Sequence, residues 1–453
     1  MTDSTTSRQP PGSTPAAPKV SNPYTHSRFG TLFSRQLPNY TGSYQVGVLD
    51  VEYPIENQTI GSFKHRKLHT SGQAGIEIDT VLFSLFYPCQ LDQTRPDGTV
   101  WFPRASPTVN GFLKMAGIEN SLIRALAYVG ALSAVHGLTF PSHQRAPILP
   151  PPSELGKWPL IIFSHGVGCS RLMYTHICGE LASRGYVVAA VEHRDGTGPS
   201  AKITSEDGKE RDVDFLRWTD LDWPDRPADD QPKDDNTLRH DQLKIRMVEM
   251  ESTIDIIRKI TDGTLEDGKG RLLASRTFDW STWKGLVEVG KGKVCLAGHS
   301  FGGTAVIAAA ANPRFDPHSI IALDPAVERL EPFNGTITCP LLSVNSEEFV
   351  LSEDYQRLIR ISRTIQNEKH VFAIAGSTHP SFSDVFLITP SFVGSMTGLS
   401  VPSYTVFPPT VQAIEAFLND GNAGTLDSLG SPIDVMLSKP IGKPGTLLRQ
   451  VFS

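Results

Sequence analysis

Little in this chain would serve a disulfide framework, a nucleic acid or a membrane span. Cysteine is scarce, five in 453 residues, and Cys89, Cys169, Cys178, Cys295 and Cys339 are odd in number, irregularly spaced and without a CxxC pair. Free thiols in a reducing compartment follow. A basic excess is missing too: the formal net charge of -6 leaves no stripe to neutralise phosphates, which excludes a nucleic-acid partner. No apolar run is long enough to cross a bilayer, and the first residues, MTDSTTSRQPPGSTPAAPKVSNPY, lack the apolar stretch of a secretory leader. A soluble cytoplasmic protein is expected, in which the sequons at Asn39, Asn57 and Asn334 have no bearing. Metal signals are equally thin. There is no HExxH, and Asp220 with Asp222 opens like a calcium loop but lacks its glycine and closing Glu. Gly196-Thr197-Gly198 with Ala201 follows a strand but runs into polar loop text rather than a helix, so no dinucleotide site is expected. Neither metal nor cofactor is called for.

What is present is apolar material, 39% of the chain, enough for a large buried core. Residues 1–25, polar and rich in Ser, Thr and Pro, read as a flexible tail. The remainder, 26–453, reads as one domain. QVGVLDVEY and IEIDTVLFSLFYP, between Tyr44 and Pro88, alternate apolar with polar and predict an opening antiparallel hairpin. Residues 112–138 are apolar at helical spacing, with Leu122, Leu126 and Val129 on one face and Ile118 before them. The first reading is a helix packed on the sheet; the second is a cap or lipid-facing helix over the site. PLIIFSHG, SRLMYTHICGELASRG and YVVAAVEHRD then set a strand–helix–strand rhythm. Residues 199–237 are polar and acidic, an excursion from the core, and a long helix runs from about Leu238 to Ile260. KVCLAGHS, SIIALDP, PLLSVNSEE and HVFAIAG are four more buried strands. Continuous Val/Ile/Leu strands alternating with helices predict an α/β fold: a mainly parallel central sheet with helices on both faces, as in the α/β-hydrolases.

Gly298-His299-Ser300-Phe301-Gly302 matches G-x-S-x-G, with a strand ahead and the helix TAVIAAAA behind. A serine held on so sharp a turn leaves no room for side chains at the flanking positions. The N–H of Phe301, at a helix start, faces the place where negative charge would develop and is the first oxyanion donor. A second donor is expected from the loop after an earlier strand, where Ser164-His165-Gly166-Val167-Gly168 supplies the N–H of Val167.

A serine hydroxyl needs a base, and the base needs an orienting acid. After Ser300 the histidines are His318, His370 and His379, and only His379 lies just past the carboxyl end of a strand. Asp324 ends SIIALD and is the acid expected; Glu347 and Glu348, one strand later, compete with it, and Asp316 falls in a turn.

FYP at Phe86–Pro88, FSHGVG leading through LASRGYVVAAVEHRD to Asp195, AGHSFGG at Ala297–Gly303 and GSTHPSFSD at Gly376–Asp384 together resemble the plasma/type II platelet-activating-factor acetylhydrolases, a calcium-independent phospholipase A2 family. The likeness runs from about residue 45 to 420. It implies hydrolysis of short or oxidised acyl chains at the second glycerol position of phospholipids, with Asp324 as the acid and Val167 and Phe301 as the oxyanion pair. It also implies a phospholipid or small-ester substrate and transient contact with a membrane surface. The acidic excursion and the N-terminal tail depart from the secreted members, as an intracellular or fungal-type member would. Two other readings are a general carboxylesterase or polyester hydrolase of the same fold, and a hydrolase fold kept only for binding.

Overall fold

The computed structural model describes Thr31 and residues 33–66, 75–90, 98–118, 120–265, 271–272, 278–388, 401–419, Leu426, 428–433 and 443–452. The tail expected over residues 1–25 lies outside them. The opening hairpin is present: β1 (Val46–Ile60) pairs antiparallel with β2 (Ile76–Pro88), Val46 opposite Pro88. Two helices follow, α1 (Ala105–Met115) and α2 (Ser121–Val135), where one was expected. They part at Gly117, whose φ of 65° suits glycine, and Asn120 caps α2 by accepting from the amides of Leu122 and Ile123.

The central run is β3 (Trp158–Ser164), α3 (Thr175–Ala182) and β4 (Val187–Glu192). The acidic excursion is more ordered than its composition suggests, because SAKIT and ERDVD pair as a hairpin, β5 (Ser200–Thr204) with β6 (Glu210–Asp214). Then come α4 (Asn236–Asp262), β7 (Cys295–His299), α5 (Phe301–Ala310), β8 (Ser319–Leu323), β9 (Leu341–Ser346), α6 (Glu353–Thr364), β10 (Lys369–Ile374) and α7 (Phe407–Leu418). Gly263 closes α4 in the left-handed region, at φ 69°. Two late strands, β11 (Ser431–Ile433) and β12 (Leu447–Gln450), had no sequence signal strong enough to be read.

Of these strands, all but the β5–β6 hairpin join one sheet, where they follow the order β1-β2-β4-β3-β7-β8-β9-β10-β12-β11, with the short strand Arg271–Leu272 outside β1. β4 through β10 run parallel; β2 and β12 flank them antiparallel. Alternate residues feed two cores. Leu160 and Ile162 of β3 point to the side covered by α4, α5 and α6, through Ile256, Val306 and Leu358. Ile161 and Phe163 point to the side covered by α3 and α7, through Ile177, Leu181 and Ile414. A parallel sheet covered on both faces, flanked by antiparallel strands, is the α/β-hydrolase architecture. In register, Gly298 lies beside Ser164 and Ala322, Leu323 beside Val344, and Ser346 beside Ile374. The loops leaving these strand ends therefore share one rim of the sheet.

The first reading of residues 112–138 does not hold for α2. None of its residues is buried, and Leu122, Ile123, Leu126 and Val129 are 69, 56, 68 and 64% exposed. α2 leans on α1, where the Tyr128 hydroxyl meets Ser106 Oγ at 2.9 Å, and Leu132 and Val135 at its end reach the core on the α3 and α7 side, partly buried.

Candidate active site

Ser300 stands between β7 and α5 with φ 57° and ψ −124°, a conformation that L-residues seldom adopt. Its N–H donates to the Leu323 carbonyl at 2.9 Å, tying the turn to β8. The neighbouring glycines are sterically required. A Cβ on Gly298 would lie 2.4 Å from the Gly302 backbone, and one on Gly302 would lie 2.0 Å from the Ser164 carbonyl oxygen.

Asp324 follows β8, fully buried and also at positive φ, 43°. Its carboxylate accepts from the Ser346 N–H at 2.5 Å and from the Ser346 hydroxyl at 2.6 Å, and Oδ2 meets His379 Nδ1 at 3.1 Å. The competing acids are occupied elsewhere on the same loop: Glu348 accepts from the His379 N–H at 2.9 Å and Glu347 from the Gly376 N–H at 2.8 Å. They hold the backbone that carries the imidazole, and Asp324 holds the ring. Burial pushes the His379 pKa down, but the hydrogen bond and charge of Asp324, with Glu348 behind, outweigh it and leave the pKa above its ordinary value. The Ser300 hydroxyl has no hydrogen bond to this ring at 3.5 Å or less. Such contacts are often long in an unliganded site and tighten around substrate.

His299, read from sequence only as part of the turn, joins three loops. Its ring lies 4.7 Å from that of His379, centroid to centroid. Nε2 is 3.1 Å from the His379 carbonyl, which can only accept, so the proton sits there and Nδ1 accepts from the Tyr174 hydroxyl at 2.7 Å. Burial, with His379 nearby, holds the His299 pKa well below its usual value and keeps the ring neutral. Tyr174 Oη in turn accepts the Gly166 N–H at 3.3 Å. Tyr174 and Ser346 lay beyond sequence reasoning: neither sits in a motif, and their partners are 125 and 22 residues away.

Gly166 brings the expected donor loop against the serine, since a Cβ there would come 3.0 Å from Ser300 Cβ. Around it, Gly166 N–H is bound to Tyr174, Gly168 N–H to the Thr197 carbonyl at 2.8 Å, and Ser300 N–H to Leu323. The amides of Val167 and Phe301 donate to no acceptor among the described residues, and Phe301, the first residue of α5, has no carbonyl four residues back within its helix. A cavity of about 640 Å³ opens past this loop between Leu82, Arg104, Ser170, Arg171 and Leu172, but none of Ser300, Asp324 or His379 lines it.

The family profile described as platelet-activating factor acetylhydrolase, isoform II, matches residues 30–425. This chain belongs to that family. Curated relatives agree. The platelet-activating factor acetylhydrolase of Gallus gallus is 30% identical over 318 residues, 69% of this chain and 71% of that protein. The same-named protein of Cavia porcellus is 30% identical over 366 residues, covering 80% and 72%. A putative phospholipase A2 of Schizosaccharomyces pombe is 28% identical over 285 residues, covering 60% and 58%. Among solved structures, a ferulic acid esterase from Streptomyces cinnamoneus superposes with a TM-score of 0.49 at 18% identity, covering 86% of this chain and 98% of that one. Membership of the acetylhydrolase family makes the protein an ester hydrolase of the serine type.

Proposed function

We propose that this enzyme hydrolyses the sn-2 short-chain or oxidised acyl ester of phospholipids such as platelet-activating factor, with Ser300, Asp324 and His379 as its triad and the amides of Phe301 and Val167 as its oxyanion hole. The observation that carries the reading is the buried Asp324 carboxylate hydrogen-bonded to the His379 ring at the rim where the strained Ser300 stands.

In the first step His379 Nε2 takes the proton of the Ser300 hydroxyl as Oγ attacks the ester carbonyl. The carbonyl oxygen becomes an oxyanion, met by the two amides. Asp324 holds Nδ1–H, so that Nε2 is the basic nitrogen, and steadies the imidazolium that forms. Collapse breaks the ester bond; the lysophospholipid oxygen leaves with the proton from His379, and the acyl group stays on Ser300. A water then gives its proton to His379 and attacks the acyl-serine, releasing the carboxylic acid and restoring the hydroxyl.

Ser300→Ala is expected to abolish hydrolysis of a short-chain ester and labelling by a fluorophosphonate probe, with the circular dichroism of the folded protein retained. Turnover surviving in that variant would refute the assignment. A panel of acetyl phospholipid, long-chain phospholipid and simple esters tests the substrate class, and equal rates on all three would favour a general carboxylesterase.

The partner side of the reading is a transient contact with a membrane surface through α2, whose four exposed apolar side chains need a cover. No described helix is long and apolar enough to cross a membrane. We propose a cytoplasmic location, which the small, odd number and irregular spacing of the cysteines in the sequence support.

A further inference from the structure

One cation reaches both halves of the proposed oxyanion hole. Arg246 projects from α4 and is fully buried, as is its ion-pair partner Asp195, with Nε 2.8 Å from Asp195 Oδ2. Nη2 donates to Thr197 Oγ1 at 2.8 Å, and Nη1 donates to the His165 carbonyl and, at 3.3 Å, to Ser164 Oγ. The guanidinium carbon Cζ lies over the Phe301 ring, 4.6 Å from its centroid. The two residues flanking the Gly166–Val167 segment are thus both held from this group. His165 is bound through its carbonyl. Gly168 is bound through its N–H to the carbonyl of Thr197, the residue whose hydroxyl Arg246 grips.

Beside it runs a chain that mimics a nucleophile, base and acid: Ser164 Oγ to His193 Nε2 at 2.7 Å, and His193 Nδ1 to Glu249 Oε2 at 2.7 Å. All three side chains are fully buried, so no ester can reach them, and their work is to fix the end of β3. The His193 N–H also donates to His165 Nε2 at 3.0 Å, which leaves His165 Nδ1–H to donate to the Gly166 carbonyl at 2.8 Å. Stability is a poor reason for so many bonds to one buried cation. Replacing a buried ion pair by apolar groups of similar volume is often neutral or stabilising.

We propose that Arg246 is a positioning residue: it sets the spacing between the Val167 and Phe301 amides and so acts on the transition state without touching substrate. This rests on those two amides being the oxyanion donors. Lysine at this position keeps a charge for Asp195 but cannot also hold the His165 carbonyl, Thr197 and the aromatic face.

The experiment measures kcat, KM and the pH profile on a short-chain ester, with melting curves, for Arg246→Lys and for the neutral pair Asp195→Asn/Arg246→Met. In folded variants kcat is expected to fall about 100-fold, the scale of a misplaced or missing oxyanion donor, at unchanged KM. The acid limb of the profile should stay where it is, because Asp324 and His379 are untouched. Wild-type kcat in either folded variant overturns the proposal. So does a loss accompanied by a shifted acid limb, and so does failure of both variants to fold, which would assign Arg246 to the fold alone. Ser300→Ala run alongside separates the two claims: activity in that variant sinks the underlying reading, whereas an inert Ser300→Ala beside a fully active Arg246→Lys sinks only the role of Arg246.

Discussion

The imidazole of His379 is half-exposed, its side chain 41% accessible, and sits under opposed influences: burial favours the neutral ring, Asp324 and Glu348 favour the charged one, and the acids win. As the proposed base, His379 must be neutral to work, so activity is expected above its pKa and is lost as pH falls through it. The acid limb of kcat/KM is expected above the ~6.5 of an unperturbed histidine. Asp324→Asn should move that limb downward and lower kcat by about 10⁴-fold, since the amide no longer holds the productive tautomer. A limb below 6 in the wild type, or one indifferent to Asp324→Asn, would contradict this coupling. At this scale Ser300, Asp324 and His379 could be singled out in the text because each follows a buried strand. The strand end favoured Asp324 over Glu347 and Glu348, but the part those two glutamates play could not be read there. Which carboxylate faces the ring and which face its backbone depends on Ser346 and on a loop geometry that the linear order does not contain.

Among the elements, the parallel strands were legible because each is buried on both faces and spelled in unbroken Val, Ile and Leu, as in LIIF and SIIAL. The late strands β11 and β12 were not, since SPI and LLRQ are too short to show a period, and β12 owes its place to pairing with β10 more than seventy residues earlier. The hairpin β5–β6 was masked by its charges, many of which are side chains on its solvent face. α2 misled in the opposite direction: its apolar spacing is real, but the face is turned outward. If that face docks on lipid, Leu122→Asp/Leu126→Asp should reduce co-sedimentation with phosphatidylcholine vesicles while leaving kcat on a soluble short-chain ester intact, because neither residue is near Ser300 in the contacts described. Unchanged vesicle binding would remove α2 from the membrane reading.

Taken as a whole, the molecule gathers the proposed site at one edge of a sheet covered by two large apolar clusters, and strained backbone is found at that edge. Ser300 and Asp324 are two of only four residues other than glycine described with positive φ. Each such conformation costs about 1–3 kcal/mol and persists only where the surroundings impose it. Ser300→Gly, which removes both the hydroxyl and the clash of its Cβ, is expected to raise stability by about 1 kcal/mol over Ser300→Ala, read from denaturant midpoints. Equal midpoints for the two would mean that the turn is unstrained. It follows that selection for thermal robustness alone, with no demand for turnover, would tolerate or favour loss of the proposed nucleophile, and that heat-resistant isolates from such a screen need an activity assay before any of them is taken for an improved enzyme.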